Sequence, residues 1–312
     1  MSRALKQKLT TELNENLYPS TGFYKGRGVT DSGIAIDVDT VIVNESQSIP
    51  SVVTDPQKFP LEISTTQDEN KEYAVELLAT KPTLVTKENE LLTNFNKRAN
   101  ERRKHSKQLE LRSTEIIMNK WSQTDSNYIL ETSGLTGGTT IAGMTGARKL
   151  ITRNDIIDVK LNMARQDIPM DDNLYCLIDS GMHSELLKID DFIRYDSTGL
   201  INPLMQKGVI GELLGIKFIM RNGVSIYNTG GTLQDPYDAA GVKYAVQATD
   251  VLSAMFWHSD FVRYAEGAGE MFVDKKGGDY LGATAINAQL RAGGMISRID
   301  LKGVTQLIQD NI

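Results

Sequence analysis

Cysteine is nearly absent from this chain. Cys176 is the only one in 312 residues, so no internal disulfide can form and folding in a reducing compartment is expected. Histidine is almost as scarce: His105, His183 and His258 lie far apart, without the close Cys/His spacing by which metal sites declare themselves. No apolar run approaches the ~18 residues of a membrane span. The basic start, Met1-Ser2-Arg3-Ala4-Leu5-Lys6, lacks the apolar stretch of a signal peptide. The chain is therefore expected to be soluble and intracellular when made. Positive charge is not in surplus either. The formal net charge is -6 and the pI near 5.3, which excludes a surface that is one large nucleic-acid footprint but leaves room for a local basic face. Glycine and proline are missing from residues 83–133, an interval free to form a long helix.

What is present suffices for one large core or two smaller ones, at 40% hydrophobic content. Leu5, Leu9, Leu13 and Leu17 recur every fourth residue, the stripe of a short amphipathic helix. The glycine-spaced Gly22-Phe23-Tyr24-Lys25-Gly26-Arg27-Gly28 suggests a flexible arm. Ile34, Ile36 and Val38 alternate into Val41-Ile42-Val43. Further on, Leu61–Ser64 and Tyr73–Leu77 are expected to pair as a β-hairpin around the polar tip Gln67-Asp68-Glu69-Asn70-Lys71. An isolated hairpin is marginal in water, so it leans on its own core or on another copy. A helix is expected over about 87–121, with Thr86 as cap, apolar ends and a polar middle at Asn100–Gln108. Such a helix bridges parts of a structure or crosses an interface. Later segments predict a helix from Thr152 to Arg165, a strand at Leu174–Ile178, a helix at Ser180–Leu187 and antiparallel strands towards the C-terminus. The fold class is α+β.

Catalytic patterns fail one after another. Asp37 and Asp39 follow an apolar strand, as in phosphatases that use an aspartate nucleophile. Val41-Ile42-Val43 then continues the strand where such enzymes turn, so two aspartates on one polar strand face is the plainer reading. Gly134–Gly146 is rich in glycine and threonine, but Gly146 is followed by Ala147-Arg148-Lys149 instead of the Gly-Lys-Ser/Thr of a phosphate loop. A mobile connection is expected there. Gly267-Ala268-Gly269-Glu270 misses the dinucleotide pattern, and Cys176 sits in an apolar strand where a thiol is inert packing. No catalytic, cofactor-binding or metal residue is assigned, and no cofactor is expected.

Basic residues concentrate in one place, at Arg98, Arg102, Arg103, Lys104 and Lys107. Phosphate contact, pairing with another subunit and a solvated helix face are the three readings. Pairing is favoured because the hairpin supplies charged counterparts, with Glu62, Asp68, Glu69, Lys71 and Glu72 as the candidates.

The order of these parts resembles the major capsid proteins of tailed bacteriophages, the Hong Kong 97-type fold. The most specific match is Asn173-Leu174-Tyr175-Cys176-Leu177-Ile178-Asp179-Ser180-Gly181-Met182-His183-Ser184-Glu185-Leu186-Leu187, similar to that family's axial-domain strand and helix. It is followed by Asp190-Asp191-Phe192-Ile193 and by a strand approach with structural glycines Gly208, Gly211 and Gly215. The resemblance implies an N-terminal arm over 1–30 and an extended loop over 31–82 lying on a neighbouring subunit. It further implies a peripheral domain of 83–148 and 256–312 with a spine helix at 87–121, and an axial domain of 149–255. By the same resemblance the chain forms hexamers and pentamers of an icosahedral virion capsid around double-stranded DNA held by non-specific contact. It is assembled in the host bacterial cytoplasm with a portal and separate scaffolding or decoration proteins, without a membrane. With about 30 residues before the loop, a large fused scaffolding segment is not expected. An encapsulin-type compartment shares this fold and is the alternative; a phosphatase using Asp37 and Asp39 is the enzyme alternative.

Overall fold

The computed structural model describes residues 21–33, 39–46, 52, 54, 68–86, 97–188, 211–238, 241–275 and 283–311. In chain order its elements are β1 (Val29–Thr30), β2 (Thr40–Ser46), β3 (Asp68–Ala74), β4 (Glu76–Ala79), β5 (Thr83–Val85), α1 (Lys97–Trp121) and β6 (Ile129–Glu131). Next come α2 (Arg153–Arg165), β7 (Leu174–Ile178), α3 (Ser180–Leu186), β8 (Gly211–Leu213), β9 (Ile216–Met220) and β10 (Ile226–Tyr227). The chain finishes with β11 (Val251–His258), β12 (Val262–Glu266), β13 (Glu270–Lys275), β14 (Thr284–Ile296) and β15 (Val304–Ile308). The mixture is α+β, and no helix among the described residues is long and apolar enough to cross a membrane.

The first sheet is built on β14, whose 13 residues pair with four of its other five strands. Along one side run β12 and β13, along the other β4 and β5, all antiparallel, and β1 joins β12 in parallel. Alternation along β14 makes two faces. Even-numbered residues such as Ala288 and Leu290 are buried under Leu109 of α1. Odd-numbered residues point the other way, where Met295 packs with Val41, Tyr73 and Val75 from the root of the β2–β3 hairpin.

The second sheet runs β6-β15-β11-β7-β9-β8, with β10 also beside β11. All eight residues of β11 are buried, as expected of a central strand. The β8–β9 turn places Leu214 and Gly215 at φ 55° and 80°, the left-handed pair that a two-residue hairpin turn demands. Helix α2 starts at a capping box: the Thr152 hydroxyl accepts from the Asp155 amide at 3.3 Å, and the Asp155 carboxylate accepts from the Thr152 amide at 2.7 Å. Helix α3 starts where Asp179 accepts from the Gly181 amide at 2.8 Å. The predicted extents of α2, β7 and α3 agree with those observed.

A cluster of aromatic rings joins the two sheets. Trp121, at the end of α1, meets Phe23, Tyr24, Trp257 and Tyr264 with ring centroids 5.8–6.5 Å apart. The residues from Gly22 to Gly28 are therefore no free arm in this stretch. Phe23 and Tyr24 are buried, and their apolar area outweighs the freedom that the surrounding glycines offer.

Two further expectations are corrected. The hairpin is β2 with β3, pairing Val41 with Tyr73 and Ser46 with Asp68; Tyr73–Leu77 does not act as one strand, and Asp68–Lys71 is strand instead of tip. The residues from Gly134 to Gly146 are not a mobile connection. The amides of Gly137 and Gly138 donate to the Arg148 carbonyl at 2.9 and 2.8 Å, and that of Leu150 to the Leu135 carbonyl at 2.9 Å. The Leu5–Leu17 stripe, Ile34–Val38, Leu61–Ser64, the expected start of the spine helix at 87–96, Asp190–Ile193 and Gly208 lie outside the described residues.

Candidate assembly surfaces

Three exposed features stand on this frame: the hairpin, the basic side of α1 and the outer face of the first sheet. The hairpin is anchored by its inner face. Val41 and Tyr73 are buried, and the Tyr73 hydroxyl donates to Asp31 at 3.0 Å. Further out, Lys71 Nζ donates to the carbonyls of Ile296 at 2.9 Å and Arg298 at 2.5 Å. Burial pulls its pKa below the usual lysine value, although Glu45 and Asp300 oppose this. Glu45 accepts from the Ile299 amide at 2.7 Å and pairs with Arg298 at 3.3 Å. The outer face carries Ile42, Asn44, Asn70, Glu72 and Asp68, all exposed. Of the sequence candidates, Asp68 and Glu72 thus face outward, Glu69 stands opposite Glu45, and Lys71 is committed to its own chain. Glu62 lies outside the described residues.

Helix α1 turns His105, Leu109, Ser113 and Ile117 to the sheet and Arg102, Arg103 and Lys107 to the outside. Two of its lysines are answered locally: Lys104 pairs with Glu101 at 3.0 Å and Lys107 with Glu110 at 2.9 Å. Exposed pairs of this kind contribute about 0–1 kcal/mol each, so they set charge pattern more than stability. Arg98 is half-buried. Among the described residues no ion pair joins Arg102, Lys104 or Lys107 to Asp68 or Glu72. The polar middle of the helix is not wholly solvated, because Asn100 and His105 are buried.

The outer face of the first sheet is only half covered. At one end the hairpin root lies on Met295 and Ala265. Beyond it Leu77, Leu84 and Phe272 are exposed, in register with Arg291, Ala285 and Asn287 of β14. A sheet buries each apolar face against another layer, and among the described residues no second layer covers this part of the face.

The remaining polar groups pin loops. Glu185, buried at the α3 end, accepts from the Thr139 amide at 2.6 Å, the Thr139 hydroxyl at 2.8 Å and the Ile151 amide at 3.0 Å. Arg148 is wholly buried and donates to the carbonyls of Ala248 and Asp250 at 3.1 and 2.8 Å, and to the Asn311 side chain. Neither stood out in the sequence as a site residue; for Arg148 the signal was a charged residue next to a glycine-rich stretch, and for Glu185 there was none. Asp39 is exposed and pairs with Arg291, and Asp37 lies outside the described residues. Burial pushes the Cys176 thiol far up from its usual value. Among the described residues no three His, Cys, Asp or Glu side chains converge as a metal site. A groove of about 790 Å³ beside β6 is lined by groups such as Ser126, Leu130, Glu131 and Thr232, with no histidine, lysine or cysteine among the described residues that line it.

Residues 90–308 match the model of a family described as phage capsid protein. Among solved structures, the fold is similar to that of Mycobacterium phage Che8, at 13% identity, TM-score 0.65 and coverage of 98% of both chains. It is also similar to the cyanophage Pam1 capsid, at 11% identity, TM-score 0.66 and coverage of 98% of this chain and 96% of that one. The head of Helicobacter pylori bacteriophage KHP40 is similar at 10% identity and TM-score 0.64, again over 98% and 96%. No curated protein matches the sequence.

Proposed function

The chain belongs to the phage capsid protein family, and from that premise we propose that it is the major capsid protein of a tailed phage, with the Hong Kong 97-type fold. Many copies associate as hexamers and pentamers of an icosahedral shell around double-stranded DNA. The family match over 90–308, in a fold aligned to capsid chains along nearly its whole length, carries this reading. The half-covered outer sheet face and a hairpin with an exposed second face add to it. A shell subunit needs such surfaces, because they become buried only when copies meet.

On this reading residues 1–30 are the arm, 31–82 the loop laid on a neighbouring copy, 83–148 with 256–312 the peripheral domain and 149–255 the axial domain. Its role is structural. Assembly takes place in the host cytoplasm, with a portal and separate scaffolding or decoration proteins as partners and DNA held non-specifically. Arg98, Arg102, Arg103, Lys104 and Lys107 meet Glu62, Asp68, Glu69 and Glu72 across a boundary between copies. Negative-stain microscopy of the purified protein and of the native particle tests the proposal. Closed shells or capsomers with co-purifying DNA are the expected result. A monodisperse monomer, even with the neighbouring genes co-expressed, overturns it, and shells holding an enzyme in place of DNA make it a compartment protein.

A further inference from the structure

Helix α2 is apolar on two sides. Ile156, Val159 and Met163 are buried, yet Ile157 and Leu161, one turn apart, are 40% and 45% exposed. Positions 153, 157, 161 and 165 share one side of a helix, so exposed Arg153 and Arg165 bracket this outward pair. A helix apolar all round is normally covered all round.

A second exposed feature has the opposite charge. Tyr237 is bridged to Lys243. Between them the Asp238 amide donates to the Val242 carbonyl at 3.0 Å, and the Asp238 carboxylate accepts from the Val242 amide at 2.8 Å. The spine helix clamps this reversal. Arg112 lies 3.1 Å from the centroid of the Tyr237 ring, the Tyr237 hydroxyl donates to Glu115, and Asn119 donates to Asp235 at 2.8 Å. At its end Val242 is 62% exposed, beside exposed Asp235 and Asp238.

We propose that Val242 of one copy seats on Ile157 and Leu161 of the next, with Asp235 and Asp238 facing Arg153 and Arg165. The inference rests on the shell reading and names one lateral contact within it. Charge complementarity chooses the occupant. Two copies of α2 paired antiparallel through the same stripe set Ile157 on Leu161 but also Arg153 against Arg165, a repulsion that the Val242 contact replaces with attraction. A contact between unlike patches is heterologous, the kind that closes into rings.

The test introduces Leu161→Cys and Val242→Cys together in the full chain. Cys176 is fully buried and stays out of the exchange. In assembled particles mild oxidation is expected to give a ladder of covalent oligomers that neither single variant gives. Normal particles without that ladder overturn the contact while leaving the shell reading intact. Independently, Leu161→Glu is expected to cut shell yield at least ten-fold without changing subunit melting, and adding Val242→Lys to restore it. Undiminished assembly of Leu161→Glu overturns the contact, as does failed restoration. A wild-type chain that never assembles overturns the shell reading itself, and the contact with it.

Discussion

The Tyr73 hydroxyl donates to the Asp31 carboxylate at 3.0 Å inside the first sheet, and the same carboxylate accepts from Arg263 at 2.7 Å. One buried acid thereby ties the hairpin root to β12. Burial and the nearby carboxylate hold the Tyr73 phenol far above its usual pKa, so it stays a donor at any working pH. Tyr73→Phe keeps the ring and removes only the bond. A loss of about 1.5–3 kcal/mol is expected, as for a hydrogen bond to a charged group. Chemical denaturation measures it, with hydrogen exchange at residues 71–75 expected to quicken.

Trp121 is fully buried where both sheets and the Phe23–Tyr24 segment converge, and its indole N–H donates to the Arg263 carbonyl at 2.7 Å. Trp121→Ala is expected to cost about 3–5 kcal/mol. Gly28 lies against the same ring, where a Cβ would come within 2.8 Å of Trp121 and 3.1 Å of Val262. Gly28→Ala is therefore expected to overpack the cluster by about 1–3 kcal/mol. Denaturation followed by tryptophan emission reports both, since the chain's only two tryptophans lie in this cluster.

Glu185 holds the Gly134–Ile151 stretch by three hydrogen bonds. Glu185→Gln turns one acceptor into a donor and sets it against an amide or hydroxyl that also donates. The loop is then expected to open, and Arg148-Lys149 to become a new trypsin site. Limited proteolysis of the folded chain decides this; an unchanged digestion pattern would mean that the backbone bonds to the Arg148 and Leu150 region hold the loop alone.

Local chemistry was legible where it acts locally. A helix starting at Thr152 is read from the sequence, and the capping box with Asp155 that starts α2 lies within four residues of it; the apolar run before Asp179 marked β7. Glycine-rich stretches misled, because glycine reports what the backbone is free to do and not what tertiary bonds hold it. Gly22–Gly28 is fixed by the burial of two rings, and Gly134–Gly146 by Arg148 and Glu185, more than forty residues away in the latter case. Strand partners are long-range as well: Val41 pairs with Tyr73 because both find Met295 beneath them, which no spacing announces. Among surfaces, periodicity placed Ile157 and Leu161 on a helix but not on its open side. The clustering of charge on α1 was visible, whereas its pairing within the helix depends on rotamers.

His105 gives the chain a pH dependence of predictable sign. Its Nδ1 lies 2.7 Å from the Thr80 hydroxyl. Burial holds its pKa below the usual histidine value, although Glu101 opposes this. The unfolded chain therefore takes up the proton first, so the stabilising contribution is full above about pH 6.5 and is lost as pH falls through the lowered folded value. The urea midpoint is expected to drop between pH 7.5 and 5.5, and to drop less in His105→Gln. Equal drops in the two proteins would move the effect to other groups.

The exposed charges Arg102 and Arg103 on α1, and Asp68 and Glu72 on the hairpin, test where stability ends and assembly begins. Exposed charges contribute little to one chain's folding, so Arg102→Glu with Arg103→Glu is expected to leave subunit melting within about 1 kcal/mol of wild type. On the proposed pairing across a boundary between copies, the same change sets like charges together and is expected to lower shell yield several-fold. Adding Asp68→Lys and Glu72→Lys reverses both signs and is expected to restore the yield. The defect is also expected to shrink as salt rises, because screening at 1 M shortens the Debye length to about 3 Å. Assembly kinetics followed by light scattering at two ionic strengths supply the measurement. A yield indifferent to all four substitutions would leave the basic side of α1 a solvated helix face.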